Sequence, residues 1–315
     1  MKVLVVYSAT IPGFSLVLHQ SFIFEQVEAI KRFGVKIDNF GIEHKGLCGY
    51  LRSMKGLLNK IKEFEPDIIH AHYGLSGLLA NLQRKVPVIT TFHGSDIHSG
   101  GLLLKLSRLS MKLSKYNIFV SNRLYELANY CKENVMVLPC GVDFDNFVVL
   151  SKDEARKHLV WDLTEKFVLF ASAFDNEIKN PELAKQACRL LSECKLIELK
   201  GYSREEVNLL MNACDCLLMT SHQEGSPMVI KEAMLCGTPI VSVDVGDVKD
   251  VVGDTEGCFI VDKDADAIAI RISDAIKFSI EQGKTNGRDR IMELGLDNKQ
   301  IAEQILRLYN NVIEQ

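Results

Sequence analysis

"CLLMTSHQEGSPMVIKEAMLCGTPIVSVD", residues 216–244, holds two apolar runs, CLLMTS and PIVSVD, on either side of a helix-type segment. Each run is continuously apolar, the pattern of a strand covered on both faces of its sheet. The segment between them carries its own punctuation. Ser226 suits an N-cap and Pro227 the first helical position, whereas Gly237 suits the left-handed residue that ends a helix and Pro239 blocks continuation. Strand, helix and strand in that order make a parallel crossover unit.

The same rhythm extends outward in both directions. KVLVVY, VKIDNF, DIIHAHY, PVITTFH, NIFVSN and VMVLPC read as strands in the first half, and FVLFAS, KLIELKG, CLLMTS, PIVSVD and CFIVD in the second. Helix-type segments at 22–33, 51–64, 102–114, 182–192 and 204–213 separate many of them. The strand rhythm stops for about 25 residues in GVDFDNFVVLSKDEARKHLVWDLTEK. The pattern predicts an α/β protein of two doubly wound, Rossmann-like parallel-sheet domains, 1–146 and 147–315, facing a cleft. The last segment, NKQIAEQILRLYNNVIEQ, reads as an amphipathic helix, about 298–315, able to pack back on the first domain.

Composition narrows the function classes. The chain of 315 residues is 47% hydrophobic and 25% charged, an ordinary globular balance. No run of 18 apolar residues could span a bilayer, and MKVLVVYSAT lacks the apolar core of a leader, so a cytoplasmic protein is expected. Nine cysteines are scattered. The closest pair, Cys214 and Cys216, has no partner pair at metal-finger spacing and fits small buried hydrophobes in a reducing compartment. Residues 1–145 carry 17 Lys and Arg against 12 Asp and Glu, net +5, which leaves −9 for the rest of a chain whose net charge is −4. The asymmetry suggests different partners for the two halves.

Ligands of doubly wound sheets bind beyond the carboxyl ends of the strands. Here those ends read Thr10–Gly13, His70–Gly74, His93–Asp96, Gly201-Tyr202, Ser221–Gly225 and Gly246-Asp247. The helix start at Gly225-Ser226-Pro227 offers free N–H groups to an anion such as a diphosphate. Glu232, inside that helix, needs donors if buried. Two ribose hydroxyls or a nearby lysine would both serve. Glu224 fits sugar hydroxyls or solvent, Lys179 fits phosphate or solvent, and His93 fits a reacting centre or a structural role. DFD at 143–145 and DAD at 264–266 are the chance matches expected among 41 acids, and no metal is expected. No G-x-S-x-G, Walker A or G-x-G-x-x-G is present. LLLKLSRLSMKLSKY, 102–116, is apolar at helical spacing with Lys105, Arg108, Lys112 and Lys115 on another side. It fits an anionic membrane surface or, with slightly more weight unless the substrate is a lipid, a core helix with a solvated basic face.

Taken in order, these segments resemble the retaining GT-B glycosyltransferases of glycosyltransferase family 4, also called glycosyl transferases group 1. EGSPMVIKEAMLCGTPIVSVDVGDVKDVV is similar to their E-x7-E signature, and FIFEQVEAI, DIIHAHYGLSG, VITTFHGSDI and VLPCGVDFDNF are similar to their first-domain patterns. The resemblance covers nearly the whole chain. It implies transfer of a sugar from a UDP- or GDP-linked donor, with retention, to a saccharide or polyprenyl-linked acceptor in cell-surface polysaccharide synthesis. Neither a bound metal nor a further cofactor is implied, and no nucleic acid partner. Glu232 would bind the ribose. Glu224, Gly225, Ser226, Pro227 and Met228, with Gly201 and Tyr202, would hold the donor. Lys179 would neutralise the leaving diphosphate, Gly13 would approach the phosphates, and His93 would touch the donor sugar. His72, Tyr73 and Asp96 would lie on the acceptor side. A peripheral contact with the inner face of the plasma membrane is a further expectation. The family's usual arginine is replaced by Ala173 in FASAFDNEIK, the N-terminal loop has the single Gly13, and the chain is short. A nucleotide-sugar 2-epimerase of the same fold and a non-catalytic sugar-binding protein are the alternatives.

Overall fold

The computed structural model describes residues 1–314. The chain divides into two compact units, one formed by Met1–Gly141 with the segment from Asn298 on, the other by Val142–Asp297. The division falls five residues before the sequence-based boundary, within the strand-free stretch.

In the first unit, six parallel strands lie in the order β2-β1-β3-β4-β5-β6: β1 Lys2–Ser8, β2 Lys36–Ile42, β3 Ile68–His72, β4 Val88–Phe92, β5 Tyr116–Phe119 and β6 Val135–Val137. In the second, five parallel strands lie in the order β11-β10-β9-β7-β8: β7 Lys166–Phe170, β8 Cys194–Glu198, β9 Cys216–Met219, β10 Ile240–Val243 and β11 Cys258–Val261. Each of the eleven strands falls on one of the apolar runs read from sequence. The reason is burial: Val3 to Val6 of β1 are all 2% exposed or less, so neither face of the strand needs a polar residue.

Six helices matter below: α1 Ser21–Lys31, α2 Gly74–Asn81, α3 Gly101–Leu113, α4 Arg204–Ala213, α5 Met228–Leu235 and α6 Asn298–Glu314. The terminal segment is the amphipathic helix expected. Ile301, Ala302, Ile305, Leu308, Tyr309 and Val312 of α6 are buried, and the helix packs on α1.

Helix α3 does not bury its leucines in the way its pattern suggests. Ser107, Ser110 and Met111 form its buried side, against α2. Glycines allow that approach, since a Cβ on Gly77 would lie 2.5 Å from both the Ser110 hydroxyl and Thr90. Leu102 and Leu109 are left 65% and 44% exposed. The close packing of small residues, rather than an apolar stripe, decides which face turns inward.

Replacing Gly77 by alanine should therefore overpack the α2–α3 contact and push Thr90 of β4. The expected loss is about 1–3 kcal/mol, read as a lower denaturant midpoint at unchanged slope.

Candidate active site

The strand orders share one property. Counted along the chain, both units share the order 2-1-3-4-5, extended by a sixth strand in the first, so the connections of neighbours 1 and 3 leave in opposite directions. The loops that follow those neighbours diverge and free the carboxyl edge between them for a ligand. In the second unit the neighbours are β7 and β9. Lys179 comes from the loop after β7, and Glu224 to Pro227 from the loop after β9.

These two loops are joined at several points. Lys179 Nζ donates to Glu224 Oε1 at 2.6 Å. Thr220 Oγ1 donates to the carbonyls of Lys179 and Asn180, at 3.0 and 2.8 Å, and the His222 amide donates to the Ile178 carbonyl at 2.8 Å. Glu224 is therefore ion-paired rather than simply solvated. Asn180 occupies the position before the helix Pro181–Arg189 and Pro181 opens it, but Asn180 has a φ of +54° and its side chain caps nothing.

The start of α5 differs from its sequence reading. Its first helical residue is Met228, Pro227 stands at the cap, and no side chain caps the helix. Ser226 is drawn elsewhere: its hydroxyl donates to Asp247 Oδ2 at 2.6 Å and accepts from Lys231 Nζ at 2.7 Å. Lys231 is fully buried, and burial pushes the Asp247 carboxyl up while the Lys231 charge pulls it down. The helix end is as expected, with Gly237 at a φ of +65° and its amide donating to Met234. Gly246 packs so tightly on this loop that a Cβ would lie 2.8 Å from the Gly225 carbonyl oxygen.

Glu232 is buried, and its Oε1 accepts from Arg204 at 2.8 Å. The partner is an arginine, not a lysine, and its guanidinium lies 4.6 Å from the Phe147 ring centroid. Arg204 opens α4 immediately after Gly201, at a φ of +78°, half-exposed Tyr202 and a Ser203–Glu206 capping box. Sequence reasoning passed over Arg204. The available signal was a cation placed just beyond a strand end. No guanidinium replaces the one missing at Ala173 in its own loop, where the Phe174 amide donates to Glu198 and Lys200 pairs with Asp175.

In the first unit the diverging neighbours are β1 and β3. Gly13 lies in the loop after β1, exposed and at a φ of +68°. His72 ends β3, and Tyr73 follows at a φ of +73°, a strained value for a residue with a side chain. His93 follows β4. The rings of His70, His72 and His93 form a column, with neighbouring centroids 4.6 and 5.2 Å apart. His72 Nδ1 and His93 Nε2 share a hydrogen bond of 3.0 Å. His70 bonds Tyr309 of α6 at 2.6 Å and Thr91 at 2.7 Å. Tyr73 and Phe22 flank His93, each 4.8 Å away between centroids. Asp96 faces the backbone instead: its oxygens accept the amides of Gly74 at 3.1 Å and Gly94 at 2.9 Å, joining the loops after β3 and β4.

Comparison with known proteins gives these edges a context. Residues 23–146 match the family Glycosyltransferase Family 4, and residues 195–288 match Glycosyl transferases group 1. Each unit thus contains a segment similar to a glycosyltransferase family. A putative teichuronic acid biosynthesis glycosyltransferase, TuaC of Bacillus subtilis, is 25% identical over 242 residues, covering 68% of this chain and 62% of that protein. The amylovoran biosynthesis glycosyltransferase AmsK of Erwinia amylovora is 25% identical over 276 residues, covering 71% and 64%. The chain thus spans under two thirds of the length of these curated relatives. Among solved structures, a sucrose-phosphate synthase of Thermosynechococcus elongatus aligns with a TM-score of 0.86 at 18% identity, over 99% of each chain. Anabaena HepE in complex with UDP-glucose aligns at 0.78 and 15% identity, over 99% of this chain and 100% of its own. The fold is GT-B.

The two D-x-D matches have local structural tasks. Asp264 caps the helix Ala265–Glu281 by accepting the Ala267 amide, and Asp143 accepts the amides of Asp145 and Asn146. Among the described residues no three His, Cys, Asp or Glu side chains converge as a metal-ligand set. Cys214 and Cys216 are buried free thiols.

Three histidines of the first unit, His70, His72 and His93, are held neutral. Burial pushes His70 and His93 down to about 3 and holds His72 well below its ordinary value. Burial also pushes Asp96 up to about 6, against the pull of the Gly94 and Gly74 amides. The depressed histidines stabilise the fold above about pH 6.5, and that stability is lost as pH falls towards 3, because only the unfolded chain takes up the protons. Raised Asp96 acts oppositely: its contribution is fully present below about pH 4 and is lost as pH rises through 6. Three groups outweigh one. The denaturant midpoint of this unit should fall between pH 7 and pH 5, and His93→Phe should reduce that slope by about one proton.

Proposed function

We propose that this protein transfers a sugar, with retention and without a bound metal, from a UDP- or GDP-linked donor to a saccharide or polyprenyl-linked acceptor in cell-surface polysaccharide synthesis. The observation that carries the proposal is the grouping of Lys179, Glu224, Gly225 and Glu232 around the switch point of the group 1 domain. A diphosphate fits the open amides at the start of α5, beside the Lys179 cation. Glu232, oriented by Arg204, keeps a second oxygen for ribose hydroxyls, and Glu224 accepts from the sugar. Lys179 and the helix start stabilise the charge that develops on the departing diphosphate. With no protein nucleophile assigned, a departing phosphate oxygen takes the acceptor proton on the face it leaves. Gly201, Tyr202 and Met228 complete the donor side, and Gly13 approaches the phosphates. His93 serves the sugar, and His72 and Tyr73 the acceptor side. The relatives from teichuronic acid and amylovoran biosynthesis support the polysaccharide setting, and HepE with UDP-glucose supports the donor class.

Glu232→Ala should lower kcat/KM for the nucleotide-sugar by about 100-fold, the worth of two hydrogen bonds to a charged group. Unchanged turnover in the folded variant would overturn the site assignment. A donor panel screened by thermal shift identifies the base, and the anomeric proton of the product reports retention. An isomerised nucleotide-sugar formed without acceptor would point to the epimerase instead.

The lipid-linked acceptor has its own support in α3. Leu102, Leu106, Leu109 and Leu113 recur at helical spacing on the side turned from α2, and Lys105, Lys112 and Lys115 are exposed beside them. Leucines flanked by cations suit the surface of an anionic bilayer. Co-sedimentation should be seen with vesicles containing phosphatidylglycerol and not with phosphatidylcholine alone. The double variant Leu102→Glu, Leu109→Glu should abolish it.

A further inference from the structure

We propose that His72 is a positioning residue for His93: the hydrogen bond between them fixes which His93 nitrogen carries the proton, and a column anchored on Tyr309 holds both rings in plane. The inference rests on the reading that His93 serves the transferred sugar.

His72 is 1% exposed, so its ring is placed to act on its neighbours. Across the 3.0 Å gap between His72 Nδ1 and His93 Nε2 only one proton fits. The tautomer of one neutral ring therefore dictates that of the other. The second His93 nitrogen carries the proposed direction. Cys140 Sγ lies 3.9 Å from His93 Nδ1, and with the thiol as the weak donor that nitrogen is the acceptor. His93 then carries its proton on Nε2 and donates to His72 Nδ1, which leaves the His72 proton on its own Nε2. On the far side, His70 is hydrogen-bonded through Nδ1 to the Tyr309 phenol and through Nε2 to Thr91 Oγ1. His70 stacks on His72 with planes 21° apart, and His72 on His93 with planes 22° apart. Tyr73 and Phe22 close the remaining sides of His93. His93 thus meets a sugar as a neutral ring of fixed plane, with both nitrogens engaged inside its own unit. It shapes the site and transfers no proton to or from the substrate.

The test uses the full chain labelled with 15N-histidine. Long-range proton–nitrogen correlation should give His93 a single tautomer, protonated on Nε2. In His72→Ala the His93 signals should average between tautomers, and kcat for sugar transfer should fall about tenfold or more while the donor KM changes less than about threefold. His72→Asn, whose amide oxygen stands where Nδ1 accepts, should restore both. Cys140→Ala, at a partly exposed position that tolerates truncation, should release the tautomer from the other end, and Cys140→Ser should keep it. His93 signals unchanged in His72→Ala overturn the positioning role whatever the turnover. A changed tautomer with unchanged turnover instead removes His93 from the proposed reaction, and the role with it. Signals unmoved in Cys140→Ala overturn the direction of the chain.

Discussion

A parallel sheet covered on both faces uses almost all of its backbone polar groups in its own ladder. What escapes lies at the carboxyl edge, and it is most accessible where two neighbouring strands send their connections in opposite directions. Both sheets obey this constraint, with the order 2-1-3-4-5 common to the two. The rest follows from it. Lys179 and Glu224 come together because β7 and β9 are neighbours, and Gly13 and His72 lie at one edge because β1 and β3 are. Chemistry could change at these loops without touching the ladders beneath them.

The two units bury polar side chains by different means. The second relies on opposite charges: Glu232 with Arg204, Glu224 with Lys179, and Asp215 held by both Arg156 and Lys152. Such pairs repay the desolvation of each ion only while both members stay in place. A ligand that brings its own negative charge is thus met by cations already held in position. The first unit relies on neutral donors and acceptors, with imidazoles joined to hydroxyls, a thiol and one another. Uncharged groups cost less to desolvate and keep their arrangement when water is excluded.

The strands were legible in the sequence because a strand buried on both faces writes its burial directly as an unbroken apolar run. The end of α5 was legible for a similar reason, since only glycine accepts the backbone of Gly237 without strain. Its beginning was not. Ser226 has the right chemistry for a cap, but Asp247, 21 residues on, holds its hydroxyl. Local propensity cannot see a competitor supplied by tertiary structure. The same applies to the leucines of α3, which turned outward because glycines in another helix admit serines more closely, and to the partner of Glu232, which lies 28 residues away. Motif order across the chain pointed to the loops at the carboxyl edges, and side-chain pairing among them required coordinates.

The path of α6 gives the molecule a particular order of assembly. The first unit is discontinuous: its last helix follows the whole second unit in the chain and is synthesised after it. Until then the groove that receives Tyr309 and Ile305 stands open, and His70 lacks the phenol that holds it. The second unit, continuous in sequence, can close its sheet beforehand. Without α6, a second unit able to close its own sheet would be joined to a first unit still exposing apolar surface, the form that chaperones recognise.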